Sequence, residues 1–445
     1  MMKNINIRQN PQQLLTLFKE FLMIHQGAFH RGRKPATRGQ WVLSVGLLLL
    51  SLLPWQASAD IPLPLGMTLR GFGTLGLARS STDQAAFIRD LSQPEGIVDR
   101  WSAKFDSLLG LQANLQLADP VEAVAQVVSR YHSDGTYQPE LMWGFLKFDP
   151  NASLSWRLGR VGTEFYMLSD SRLVGYSYVT VRPSHDYFGG LPYSYVDGAD
   201  VLVTLPLGEG LARGKLVEGL ARENVPATGG QFNLNRSQML GGYLDYQIGS
   251  WQWRLGYSQL RFHNELPALL KLDSALEATG LPSVQSLVSA LSTSGTLAQY
   301  YSFGTVYDRG PLQVQLMFSQ TRYETASLEN EWAGYWLGSY RLGKITPFAG
   351  FSWSQTSSKS LETGLPPVPR LAPLNAAVAS AMHNARSDQH TFTLGTRWDF
   401  YHNLALKAQW DGIRGQPDSV RSYRDEQPDW SGHMDVFSLT LDFVF

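Results

Sequence analysis

From Phe437 to Phe445 every second residue is large and apolar (Phe437, Leu439, Leu441, Phe443, Phe445), and Ser438, Thr440, Asp442 and Val444 lie between them. Period two is the signature of a strand with two unlike faces. The pattern recurs upstream. Asp106–Leu117 sets Leu109, Leu111, Ala113, Leu115 and Leu117 against Gln112, Asn114 and Gln116. Met67–Ala78 gathers Thr68, Arg70, Phe72 and Thr74 on one face, and Ala152–Arg160 gathers Leu154, Trp156 and Leu158. Further segments are Val121–Arg130, Glu140–Phe148, Asp197–Leu205, Ala212–Leu220, Gln238–Ile248, Trp251–Phe262, Tyr300–Tyr307, Leu312–Arg322, Trp332–Leu342, Ile345–Gln355, Gln389–Phe400 and Leu404–Ile413. With the terminal stretch they make sixteen predicted strands.

The connections alternate strictly between short and long. Seven are tight, among them Ala118-Asp119-Pro120, Asp149-Pro150-Asn151, Gly249-Ser250 and Gly343-Lys344, which carry turn-forming residues. Eight are longer. Val161–Val196 is the third of these; His263–Gln299 contains helix-like pieces with apolar residues three and four apart, and Thr356–Asp388 carries Pro-Pro and an Ala-rich helical piece. A soluble sandwich has no reason to sort its loops this way. A barrel crossing a membrane does, because unpaired backbone N–H and C=O groups in hydrocarbon cost several kcal/mol each and closure removes the edge. The predicted class is therefore all-β: a transmembrane antiparallel β-barrel of about sixteen strands, with short periplasmic turns and long extracellular loops. The facing of Val121–Arg130 and Glu140–Phe148 is ambiguous, which leaves fourteen or eighteen strands as alternatives. Trp101, Trp332, Trp398, Phe400, Tyr401 and Phe445 are candidates for interfacial aromatic girdles, and ordinary core packing is the alternative reading.

Composition fits this picture. Apolar residues are only 43%, yet aromatics reach 12% and glycines number 41. A helical membrane protein needs several apolar runs of about 20 residues. One run stands out, Trp41–Trp55, preceded by Arg31, Arg33, Lys34 and Arg38 and followed by Ala57-Ser58-Ala59. That reads as a secretory leader over residues 1–59, with Met23 as an alternative start and an uncleaved anchor as the competing reading. Residues 60–445 are then the barrel domain. Residues 1–59 hold 7 basic and 1 acidic residue, so 30 Lys+Arg face 37 Asp+Glu in the remainder, a net charge of −7. This is no nucleic-acid footprint. With no cysteine, neither a disulfide framework nor a thiolate metal site is available.

The terminal strand ending in FVF resembles the C-terminal signature of Gram-negative outer-membrane barrels. With LSWRLGR (Leu154–Arg160), the segment Phe165–Pro183 returning through Ser194–Val201, and Ser339–Ser354, the chain resembles the porin superfamily of sixteen-stranded, usually trimeric barrels. The resemblance implies a water-filled channel for passive diffusion of ions and small hydrophilic solutes. It also implies contact with outer-membrane lipid and lipopolysaccharide, and a homotrimer. Phe437, Leu439, Leu441, Phe443 and Phe445 would be read by the barrel-assembly machinery. The third loop, Val161–Val196, would fold into the lumen.

Candidate constriction residues follow from the polar strand phase and that loop: Arg70, Arg157, Arg160 and Lys407 on the wall, and Glu164, Asp170, Asp186 and Arg182 in the loop. Opposed charge rows of this kind set the field a solute crosses. Ion pairs that merely tie the loop to the wall are the bland alternative. Two other functions compete. One is an outer-membrane barrel hydrolase, for which His185-Asp186 is the one suggestive pair, although no G-x-S-x-G is present. The other is a structural or adhesin barrel without an open pore. No catalytic residues, metal ligands or cofactors are assigned.

Overall fold

The computed structural model describes residues 61–63, 66–190, 194–383, 386–417, 419 and 423–445. The leader expected over residues 1–59 lies outside the described residues. Sixteen long strands form the barrel: β1 Met67–Ser80, β2 Leu108–Ala118, β3 Val121–Arg130, β4 Glu140–Asn151, β5 Leu154–Gly162, β6 Tyr195–Leu207, β7 Gly210–Leu220, β8 Gln238–Ile248, β9 Trp251–Arg261, β10 Leu297–Arg309, β11 Leu312–Tyr323, β12 Asn330–Tyr340, β13 Ile345–Ser357, β14 Asp388–Tyr401, β15 Leu404–Gly415 and β16 His433–Val444. Each pairs antiparallel with its sequence neighbours, and β1 pairs with both β2 and β16. The sheet is therefore closed. No described helix is long and apolar enough to cross a membrane.

The seam shows how the terminal alternation works. Phe443 and Phe445 project from β16 over Gly73 and Gly71 of β1, and a Cβ on either glycine would lie within 2.4 Å of the ring above it. Backbone bonds Gly71 N to Phe445 O (2.6 Å) and Phe445 N to Gly71 O (2.9 Å) lock the register. Ile61–Leu63 pairs with Met67–Leu69, extending that edge beyond the last residue of β16.

The predicted faces hold. Leu158, Leu216, Leu244, Leu255, Phe392, Leu394, Phe437 and Leu439 are exposed on the outside. Gln126, Asp200, Lys215, Asp245, Arg254, Thr391, Lys407, Asp411 and Asp442, on the opposite phase, are buried inside. The ambiguity at β3 and β4 has a physical source. Trp143 pairs with Gln126 but Leu141 pairs with Val127, so Met142 is an extra residue at a bulge that breaks the alternation. Trp332, Trp398, Tyr401 and Trp101 are exposed as a girdle requires. A second aromatic group was missed. Trp251 and Trp253 stack at 5.7 Å, with Tyr246 and Tyr307 beside them at the short-turn end.

Two long loops build helices where the sequence predicts helical pieces, and the inward loop adds one short helix that the sequence does not suggest. α1 is the short His185–Phe188, and α2 Pro267–Glu277, α3 Val284–Leu291 and α4 Ala372–Met382 follow. Leu269, Leu272, Leu276, Val284, Leu287, Leu291, Val378 and Met382 bury together. Pro267 occupies the first turn of α2, where a missing N–H costs nothing.

Candidate functional site: the lumen and its inward loop

Residues 163–190 leave β5 and run across the inside of the barrel. The first anchor is Glu164, whose carboxylate accepts from Arg157 of β5 (3.0 Å) and Lys215 of β7 (2.6 Å). Burial alone would raise the Glu164 pKa, but Lys215 and Arg157 outweigh it and hold the group at about 2. Phe165 then reaches the far wall, where its carbonyl accepts from Ser302 (3.3 Å), and Arg254 donates to the Tyr166 carbonyl (3.0 Å). Gly256 permits this approach, since a Cβ there would lie 1.7 Å from the Phe165 oxygen.

The loop then crosses to β13–β16 and β1, where almost every contact is polar and buried. Lys407 is fully enclosed. It pairs with Asp442 (3.1 Å) and donates to the carbonyls of Gly175 (2.6 Å) and Thr180 (2.8 Å). The Val181 N–H donates to Gln409 (2.7 Å). Arg182 forks onto Asp106 (2.7 and 3.1 Å), reaches Asp411 (2.8 Å) and donates to Ser438. Asp186 accepts from Ser352 (2.5 Å) and Gln389, and His185 meets Thr391 at 3.1 Å. Tyr187 turns back toward Tyr300 and Tyr335. A buried charge is tolerated only when paired and hydrogen-bonded, and each of these is.

This alters the sequence-based assignment of the constriction. Lys407, Arg182 and Asp186 do face inward, but the loop seals them against the wall, so they act as clamps and do not meet water. Arg157 is bound bidentately by Asp200 and again by Glu164. Arg160 falls on the other face. It lies three residues from Arg157, shares the phase of exposed Trp156 and Leu158, and pairs with Asp197 (2.7 Å), which Arg222 also holds (2.9 Å). It is a rim residue. Arg70 and Asp170 are exposed, Arg70 on the inward phase of β1 toward the short turns and Asp170 in the loop. The pair His185-Asp186 is buried within the clamp, His185 at 4% and Asp186 at 0% exposure.

On the side the clamp leaves uncovered, the inner wall is polar and partly open. A chain of amides links Gln126, Gln112 and Asn114 (3.0 and 2.8 Å) and ends on Glu122 (2.7 Å). Lys147 and Arg213 are half-exposed on the same inward phase. No group of three or more metal-ligating side chains occurs among the described residues.

These features define a closed barrel with an apolar outer face, whose lumen is crossed by one loop tied to β5, β7, β9, β10 and β13–β16. No family model and no curated protein matches the chain. Among solved structures it matches OmpF of Salmonella typhi in complex with daunomycin, at 11% identity over 85% of this chain and 97% of that one, with a TM-score of 0.52. It also matches the outer-membrane channel DcaP of Acinetobacter baumannii, at 12% identity over 87% of this chain and 100% of that one, with a TM-score of 0.51. The chain has the fold of the sixteen-stranded outer-membrane porins.

Proposed function

We propose that the protein is an outer-membrane porin, a water-filled channel through which ions and small hydrophilic solutes diffuse passively. The observation that carries this reading is the division of the inner wall. The inward loop is anchored through Glu164 on Arg157 of β5 and Lys215 of β7 and drawn onto β13–β16 and β1, while the inward phase of β2–β4, with Arg213 of β7, keeps half-exposed Gln112, Asn114, Glu122 and Lys147. A free passage then runs along β2–β4 and past Arg213 of β7. Clamping the loop by buried ion pairs fixes the width of that passage, and the side chains facing it set the ion preference. No covalent step is required of any residue.

Export by a cleaved leader and assembly as a homotrimer belong to the same proposal. Planar-bilayer recording of the purified protein, with liposome swelling in small sugars, tests it. Stepwise ohmic conductance and swelling are expected. A sealed bilayer and unswollen liposomes at all protein concentrations would favour a structural barrel.

A further inference from the structure

Loop 81–107 and the inward loop enclose a polar cavity of about 60 Å³ beside the clamp. One water needs about 10–15 Å³, so the space suits a handful of atoms and no whole sugar. Its lining includes four guanidinium groups, Arg89, Arg130, Arg172 and Arg182, against the carboxylates Asp90, Asp106 and Glu223. The cations are unequally satisfied. Arg182 is saturated by Asp106 and Asp411, and Arg89 pairs with Asp90 at 2.9 Å. Arg172 donates only to neutral hydroxyls, those of Tyr166 and Ser194. Arg130, 5% exposed, has Glu223 no nearer than 3.9 Å.

The hydrogen-bond count sharpens this. Among the described residues, Arg130 Nε and Arg89 Nη2 are buried with no acceptor. A buried guanidinium N–H without an acceptor is costly. Glu223 does not supply one: its Oε1 stays 3.9 Å from Arg130 Nη2, beyond hydrogen-bond reach, and its Oε2 accepts from the backbone N–H groups of Ser194 and Tyr195 (3.4 Å to the second). Two donor-only side chains lining one small cavity, with a third cation lacking a carboxylate beside them, need an acceptor that carries negative charge and several lone pairs.

Building on the diffusion-channel reading, we propose that this cavity is an anion-binding site that captures one oxyanion group, a carboxylate or phosphate of a small solute, between Arg130, Arg89 and Arg172 before it passes the loop. Planar, multidentate donors select oxyanions over halides, and the surrounding Tyr178, Phe188 and Leu173 side chains restrict the site to a compact head group. Solutes bearing such a group are thereby concentrated at the mouth of a chain whose mature net charge is negative.

The test is titration of inorganic phosphate into the folded full-length protein in detergent, followed by phosphorus NMR line broadening. Saturable binding is expected. It should weaken at least tenfold in Arg130→Gln and in Arg172→Gln, stay unchanged in Lys271→Gln on the exposed side of α2, and be displaced by sulfate and acetate but not by glucose. Absence of saturable binding, or binding that both Gln variants retain, overturns the site. Heat-shifted gel mobility reports whether each variant barrel has formed. Should Arg130→Gln not fold, Arg130→Lys keeps the charge but loses the fork and is expected to bind severalfold more weakly; undiminished binding counts against the site. Bilayer current separates the site from the pore. Current without phosphate binding removes the site and leaves the channel. Phosphate binding without current removes the channel and leaves a binding barrel.

Discussion

Two halves of one inner wall carry the same alternation of polar residues and meet different fates. On β13–β16 and β1, Lys407, Asp411, Thr440 and Asp442 are at most 2% exposed because the inward loop lies against them. On β2–β4, Gln112, Asn114, Glu122 and Lys147, and on β7 Arg213, occupy equivalent inward positions and remain partly open. Strand phase thus decides which way a side chain points, and the loop decides what it finds there. Charges on the clamped half hold the constriction in place. Charges on the open half are left for solutes.

Breaking the clamp should have the largest effect. Lys407→Met leaves Asp442 buried without its cation, a loss of about 3–5 kcal/mol. It should appear as a lower urea midpoint for the folded barrel and as a larger, noisier single-channel conductance once Gly175 and Thr180 lose their donor. The outer face offers a control of a different kind. Leu439→Arg places a charge among exposed apolar residues and should cost about 2–4 kcal/mol if it sits near mid-bilayer, with no change in the conductance of the molecules that do fold. The neighbouring Ser438→Arg cannot serve as a harmless lumen control, since Ser438 accepts from Arg182 and the new guanidinium would face that cation in a sealed site.

Gly256→Ala probes the other end of the loop. The new methyl meets the Phe165 carbonyl, so the loop must shift at a cost of about 1–3 kcal/mol, and a changed conductance with an intact clamp is the expected readout. Acid should loosen the first anchor. The Glu164 carboxyl titrates at about 2 in the fold, below its ordinary 4.5. Its stabilising contribution is therefore complete above 4.5 and fades as pH falls toward and through 2. Open-channel noise should rise only in that acid window, and Glu164→Gln should show the noisy state at neutral pH. The smallest effect on stability belongs to the open half. Arg213→Gln should stay within about 0.5 kcal/mol of the native protein and yet shift the reversal potential in a salt gradient toward cations.

Much of this fold is legible in the residues. Period-two phasing located each barrel strand, and turn chemistry located the tight connections. Gly249 and Asn403, both at positive φ in such connections, show the backbone requirement directly. The constriction was much less legible. Lys407 and Arg213 look alike in sequence, because whether an inward cation meets water depends on a loop more than two hundred residues from Lys407. Arg160 was misplaced because it sits beside Arg157 in the segment, although three residues along a strand reverse the face. Arg89, Arg130 and Arg172 come from two loops and a strand end, and nothing local links them. Asp442 and Asp411 did carry a signal, a carboxylate on the inward phase of a strand, which calls for a buried partner.

Cysteine scanning tests the open half most directly, since the native chain has no cysteine. Single variants Lys147→Cys, Arg213→Cys and Gln409→Cys would be recorded in planar bilayers before and after a charged, membrane-impermeant thiosulfonate. The current should fall on modification at residues 147 and 213 and stay level at residue 409, which lies beneath the clamped loop. Block at residue 409 alone, or no response at any of the three, would contradict a channel running along β2–β4 and past Arg213.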